Sequence, residues 1–245
     1  MSEGPVLILG ARSDIGMAVA HTYAALGHPI QLAARNAQDL EKAKTDLEIR
    51  HQVSVTLHEF DVVDLDSHDG FVETLPASPE IVVCAVGLLG QQENDEQDAN
   101  AAVLVMRSNF EGPANILGAL ANRFERRGSG TLVGISSVAG ERGRATNYIY
   151  GSAKAGFTAF LSGLRNRMAK KGVHVVTVLP GFVDTKMTQE LDLPEKLTAQ
   201  PSEVADAIER AVRKKKNIVY VKPIWAIVMF VIKAIPEAIF KRMRI

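Results

Sequence analysis

The feature that most restricts this fold is an alternation of short apolar runs with segments long enough for a helix. The runs lie at 6–9, 30–34, 53–60, 81–86, 131–135, 173–179 and 218–221. The spacers at 15–26, 39–51, 67–74, 99–127, 147–171 and 202–214 predict helices. Strands separated by helices require right-handed crossovers and a mostly parallel sheet with both faces covered. The expected fold class is α/β, a doubly wound parallel sheet in a single domain over residues 1–222. A tail follows at 223–245. The acidic, Gln-rich stretch 91–98 reads as a loop or helix start. The segment 182–200 breaks the alternation after Pro180-Gly181, where a mobile flap over a site is expected.

Composition excludes several function classes. Lys plus Arg and Asp plus Glu each number 28, so net charge is zero and gives no global case for nucleic-acid binding. The single cysteine, Cys84, rules out an intramolecular disulfide or a Cys-cluster metal site, and its apolar run predicts a small buried hydrophobe. The six histidines are scattered without metal-ligand spacing, and no metal is expected. Met1-Ser2-Glu3-Gly4-Pro5 lacks the basic flank and apolar core of a secretory signal. The expected location is the cytoplasm, including the inner face of the cell membrane.

Gly10-Ala11-Arg12-Ser13-Asp14-Ile15-Gly16 follows the first strand and opens the first helix. That context makes a glycine pattern a phosphate-binding hypothesis, because a helix N-terminus offers free N–H groups to a pyrophosphate. The domain is then of the Rossmann type. Gly10 permits the tight turn and Gly16 close packing. Asp14 stands where a third glycine is usual, and is expected to point away and cap the helix. The second strand ends Ala33-Ala34-Arg35-Asn36, without the carboxylate that accepts from an adenosine ribose. Arg35, helped by Arg12, suits a 2′-phosphate, which favours NADP(H) over NAD(H). The alternative is an arginine merely exposed at a strand end.

Tyr150 and Lys154 are four residues apart on a predicted helix, which puts phenol and ammonium on one face. A fixed cation beside a phenol favours the phenolate, so the Tyr150 pKa is expected to fall from about 10 toward neutrality. Such a tyrosine serves as a general acid/base for a C–OH/C=O pair. Ser137 ends the apolar run Thr131-Leu132-Val133-Gly134-Ile135-Ser136-Ser137, where a parallel sheet presents side chains to ligands.

Taken together, these residues resemble the short-chain dehydrogenase/reductase family over roughly residues 5–220. The resemblance rests on Gly10–Gly16, Asp61 after the third strand, Gly87 after the fourth, Asn109-Phe110-Glu111-Gly112, Ile135-Ser136-Ser137, Tyr150-x-x-x-Lys154 and Pro180-Gly181. It implies a catalytic group of Asn109, Ser137, Tyr150 and Lys154. Ser137 holds the substrate oxygen, Tyr150 exchanges its proton, Lys154 binds the nicotinamide ribose, and Asn109 shapes its helix and a water relay. The family interval to Tyr150 selects Ser137 over Ser136, and Tyr148 has no lysine four residues on. The implied cofactor set is Gly10, Arg12, Ser13, Ile15, Gly16, Arg35, Asp61, Val62, Gly87, Tyr150, Lys154, Pro180, Gly181, Val183 and Thr185, with Asp61 at the adenine. Leu9, Asp14 and the asparagine-free Cys84-Ala85-Val86-Gly87 depart from the family pattern.

Val86-Gly87-Leu88-Leu89-Gly90, Ser136-Ser137-Val138-Ala139-Gly140-Glu141-Arg142 and Ile235-Pro236-Glu237-Ala238-Ile239-Phe240 also look like the decaprenylphosphoryl-2-keto-ribose reductases. Those enzymes reduce a keto-sugar on a polyprenyl phosphate after a flavin oxidase, completing an epimerisation. Glu141 and Arg142 then either touch a phosphorylated substrate or form a surface ion pair. The run 223–232 is apolar all round a helix yet shorter than the roughly 20 residues a span needs. With Lys233, Lys241, Arg242 and Arg244 it suits a tail lying in a membrane interface; the alternative is burial in a homodimer or homotetramer. Pro236 is expected to start a second helix with Ile235, Ile239 and Met243 on one side.

Three functions follow. The first is an NADPH-dependent reductase of a keto-sugar on a lipid phosphate. The second is a reductase of small free or acyl ketones. The third is a non-catalytic NADP(H)-binding sensor.

Overall fold

Seven of the apolar runs become strands of one sheet in a computed structural model that describes residues 4–189 and 191–243. In chain order the first half comprises β1 (Val6–Leu9), α1 (Asp14–Ala25), β2 (Ile30–Ala34), α2 (Glu41–His51), β3 (Val55–Glu59), α3 (His68–Thr74), β4 (Ile81–Cys84), α4 (Gln92–Asp95), α5 (Ala99–Met106) and α6 (Gly112–Arg127). The second half comprises β5 (Gly130–Ile135), α7 (Tyr148–Met168), β6 (Val173–Leu179), β7 (Phe182–Val183), β8 (Thr198–Ala199), α8 (Pro201–Arg213), β9 (Ile218–Tyr220), α9 (Ile224–Ala234) and α10 (Glu237–Phe240). The sheet order is β3-β2-β1-β4-β5-β6-β9 with every pairing parallel. This is the expected doubly wound sheet.

The strand period of two sorts β1 into two cores. Val6 and Ile8 pack with Val19, Ala20, Val204 and Ile208 on the face covered by α1 and α8. Leu7 and Leu9 pack with Leu120, Phe124, Phe157 and Leu161 on the face covered by α6 and α7. Burial on both faces explains why the central strands are uninterrupted apolar runs rather than alternating ones. Cys84 is a free thiol inside the second core, where burial pushes its pKa up to about 11.

Several elements differ from expectation. The stretch 99–127 is not one regular helix, because a π-helical segment, Arg107–Glu111, separates α5 from α6. Asn109 lies inside it, and its amide donates to the carbonyls of Val105 (2.8 Å) and Leu88 (2.6 Å). A side chain that competes for ladder carbonyls is one recognised cause of such a bulge. The stretch 91–98 folds into the single turn α4. The segment 182–200 contains β7 paired with β8, away from the main sheet; Glu190 lies outside the described residues.

The C-terminal helix α9 is not equivalent all round. Trp225 and Met229 are buried against Val138 and Leu179, whereas Ile224, Ile227, Phe230 and Val231 face outward. Pro236 precedes α10, a single turn. Met1, Ser2, Glu3, Arg244 and Ile245 lie outside the described residues, including part of the basic end. Among the described residues, no helix is long and apolar enough to cross a membrane.

Candidate active site

β1 pairs with β2 on one side and β4 on the other, so successive crossovers leave in opposite directions there. That reversal opens a crevice beyond the carboxyl ends of the strands, where open α/β sheets bind ligands. The glycine turn sits at its floor. Gly10 has φ 84°, and a Cβ there would come within 2.9 Å of the Val86 nitrogen, so the turn needs glycine. A Cβ on Gly16 would press on the Gly10 carbonyl and the Ser13 hydroxyl.

Helix α1 is capped by Ser13, whose Oγ accepts from Gly16 N at 3.0 Å. The expected cap, Asp14, is instead the first helical residue. Its carboxylate accepts from the backbone N–H of Lys186 at 2.8 Å, with the Lys186 ammonium at 3.8 Å. The short Ser13 hydroxyl reaches the orphan N–H first, which frees Asp14 to point outward, as expected, and to tie the turn to the 182–200 segment.

Two cavities meet at Ala85, Val86 and Gly87. One is lined by Gly10, Arg12, Ser13, Arg35, Asp61, Val62 and Gly87. Arg35 is exposed there, and Arg12 donates to the Asp39 carboxylate (3.0 Å) and the Arg35 carbonyl (3.4 Å). Glu59 also borders this cavity. Backbone N–H groups of Ala37 and Asn36, each at 2.9 Å, hold its carboxyl below the usual range. Asp61 accepts from Val63 N at 3.1 Å.

The other cavity encloses ≈ 940 Å³ of non-atom space, open to solvent. Its walls include Ile15, Gly87, Ser137, Tyr150, Lys154, Pro180, Gly181, Val183 and Thr185. Gly16 and Asn109 line neither cavity. Gly16 acts through packing, and Asn109 is fully buried with its amide shared between Leu88 and Val105.

Ser137 lies just past β5, and its Oγ accepts from Ala139 N at 3.1 Å. Ser136 instead directs its hydroxyl to α7, contacting the Lys154 carbonyl (3.0 Å) and Thr158 (2.7 Å). Tyr150 and Lys154 occupy the first two turns of α7. The Lys154 ammonium is buried, 5.7 Å from the Tyr150 ring centroid, and donates to the Ile135 carbonyl at 3.0 Å. Tyr148 is exposed, donates to Glu96 at 3.1 Å and lines neither cavity.

The electrostatics reverse one expectation. Burial pushes the Tyr150 pKa up to about 12, with hydrogen bonding to Ser137 pulling the other way. Burial lowers Lys154 to about 8. Desolvation disfavours both charged forms and outweighs an ammonium whose hydrogen bond goes to Ile135. Tyr150 therefore holds its proton at neutral pH, the state required of a proton donor.

Sequence reasoning missed several walls of this cavity: Arg144, Asn147, Phe182, Leu191 and Trp225. The lone tryptophan in an apolar tail was the available signal. Its Nε1 donates to the Leu197 carbonyl at 3.1 Å, its ring meets Phe182 edge-on at 5.4 Å, and a Cβ on Gly181 would lie inside the indole. Glu141 and Arg142 turn away from the cavity to hold α9 and α10. Arg142 donates to the carbonyls of Ile232 (2.6 Å) and Ile235 (2.7 Å) and to Glu237 (3.1 Å), with its guanidinium 3.7 Å above the Phe240 ring. Glu141 accepts from Tyr220 (2.9 Å) and Lys233 (2.5 Å).

A family model described as short chain dehydrogenase matches residues 5–196. The chain belongs to the short-chain dehydrogenase family. It is 38% identical to an uncharacterized oxidoreductase of Mycobacterium tuberculosis, over 98% of this chain and 96% of that one. An uncharacterized oxidoreductase of Streptomyces coelicolor is 35% identical over 99% and 98%. Among solved structures, a short-chain dehydrogenase from Sphingobium yanoikuyae in complex with NADPH superposes with a TM-score of 0.83 at 24% identity, covering 96% and 97%. Membership places this short-chain dehydrogenase among the pyridine-nucleotide-dependent oxidoreductases.

Proposed function

We propose that this short-chain dehydrogenase is an NADPH-dependent ketoreductase in which Ser137, Tyr150 and Lys154 perform the proton chemistry. The observation that carries the reading is that these three side chains line one cleft, which continues into the cavity floored by the glycine turn. The bound cofactor supplies the hydride. Gly10, Ser13 and the first N–H groups of α1 fit its pyrophosphate, because the turn leaves no Cβ in the way. Asp61 and Val62 border its adenosine end; Ile15, Gly87, Pro180, Gly181, Val183 and Thr185 border its nicotinamide end. Ser137 orients the carbonyl oxygen, Tyr150 gives that oxygen its proton, and Lys154 is the buried charge beside the developing phenolate. Asn109 fixes the backbone at Leu88 and serves as a positioning residue. Arg35 and Arg12 favour a 2′-phosphate, and the NADPH complex of the Sphingobium relative supports that preference. Asp39 and Glu59 moderate it by adding two acids at the same mouth.

A second, finer reading is a keto-sugar on a lipid phosphate, received from a flavin oxidase at the inner face of the membrane. The exposed Ile224, Ile227, Phe230 and Val231 support it, since they share α9 with the cavity residue Trp225. The competing use of this α9 face is subunit contact in a homodimer or homotetramer, where the exposed Val103, Leu104, Met106 and Phe110 offer a further apolar surface.

The test is a ketone panel assayed with NADPH and NADH. Oxidation of NADPH by at least one ketone, with NADPH bound about tenfold or more tighter than NADH, is expected. No ketone-dependent oxidation of either cofactor overturns the reading.

A further inference from the structure

Arg144 lines the cavity that holds Ser137, Tyr150 and Lys154, and its Nε is buried without a hydrogen-bond partner among the described residues. Burial lowers its pKa from the ordinary guanidinium value. No Asp or Glu lines that cavity among the described residues, so nothing there neutralises it. The remaining walls are largely apolar, including Leu89, Val138, Phe182, Leu191 and Trp225.

Asn147 repeats the pattern. It is the residue before α7, a position where an asparagine oxygen ordinarily accepts a helix N–H. Here it makes no capping bond, and its Oδ1 is buried and unpaired in the same wall. Two buried polar groups left unsatisfied three residues apart, in one cavity, are costly unless a ligand completes them.

We infer that the physiological substrate is a ketone carrying a carboxylate or phosphate, and that Arg144 is the residue that binds this anion. A guanidinium in an apolar wall suits either group through paired N–H donors. Asn147 accepts from a substrate hydroxyl or, with its amide rotated, donates to the same anion. The inference rests on the ketoreductase reading, since it concerns what the carbonyl is attached to.

The test compares matched pairs with NADPH: pyruvate and methyl pyruvate, acetoacetate and ethyl acetoacetate, levulinate and methyl levulinate, dihydroxyacetone phosphate and dihydroxyacetone. The readout is the ratio of kcat/KM, charged over neutral, for wild type, Arg144→Gln and Arg144→Lys. In at least one pair the wild-type ratio is expected to exceed one by about tenfold or more, as for a charged hydrogen bond. Arg144→Gln should bring it to about one, and Arg144→Lys should restore part of it. A purely structural Arg144 would depress both members of a pair alike and leave the ratio unchanged. The carboxylate and phosphate pairs identify which anion is meant. Calorimetric titration of NADP-loaded protein with levulinate and dihydroxyacetone phosphate gives a readout independent of turnover. Neutral ketones reduced as well as their charged partners, or no Arg144-dependent binding of either anion, overturns the inference. Arg144-dependent anion binding without NADPH oxidation by any ketone retains the anion site and overturns the ketoreductase reading instead.

Discussion

Lys154 is held in a protonation state that costs the fold something, whereas Tyr150 keeps at neutral pH the proton it also carries when unfolded. A buried ammonium whose pKa is lowered to about 8 binds its proton less readily than in the unfolded chain. The unfolded state then holds more protons between about pH 8 and 10.5, so this residue's burden is full below pH 8 and vanishes as pH rises through that window. Lys154→Met is therefore expected to raise the cofactor-free Tm at pH 7 by about 2–4 °C for each kcal/mol gained and to abolish turnover. A Tm gain that persists at pH 10.5 would contradict this assignment. The tyrosine–lysine spacing was legible in the sequence because one helix carries both residues. The direction of the tyrosine's shift was not. It depends on walls contributed by β5, the segment after β6 and the C-terminal segment, which only the tertiary fold assembles. Arg144 escaped notice for the same reason: an arginine in a polar loop reads as solvated until the cavity around it is known.

Among the elements, α9 departs most from its sequence reading. An apolar run suggested a tail apart from the domain, yet Trp225 enters the cavity lined by Ser137, Tyr150 and Lys154, and Arg142 binds the carbonyls at the end of α9. At the helix end the Ile232 carbonyl otherwise accepts only a 3.3 Å bond from the Ile235 N–H, so a guanidinium placed there caps the helix. Arg142→Ala is expected to cost about 1–3 kcal/mol and to accelerate amide exchange in 224–240 while exchange in the central strands is unchanged. Exchange protection that survives the substitution would remove Arg142 from this role. Gly181→Ala is expected to cost about 1–3 kcal/mol through overpacking against the indole, and Gly181→Ala combined with Trp225→Ala should recover much of that loss. The π-helical turn at Asn109 was equally hidden, because it arises from a side chain reaching Leu88 on a distant loop.

Across the whole molecule, the alternation of runs and spacers pointed to a parallel doubly wound sheet, since parallel strands buried on both faces need helices over each face. The glycine turn was legible for a similar reason: its context, strand to helix, is local. The pairing of Asp14 with Lys186 was not, because the two residues are 172 positions apart. The exposed face of α9 belongs to this scale too. If it meets lipid, the protein should float with anionic vesicles, and Ile227→Ser with Phe230→Ser should abolish flotation; failure of the wild type to float would leave subunit contact as the use of that face. What unites these parts in the proposed function is Tyr150 as proton donor, in one cavity with Ser137 and Lys154, beside a glycine turn that fits a dinucleotide. Single-turnover NADPH oxidation with a reducible ketone, comparing wild type with Tyr150→Phe, addresses that claim most directly. The account predicts that the variant binds NADPH with unchanged affinity and transfers hydride at least about a thousandfold more slowly. Hydride transfer at the wild-type rate without that hydroxyl would contradict it.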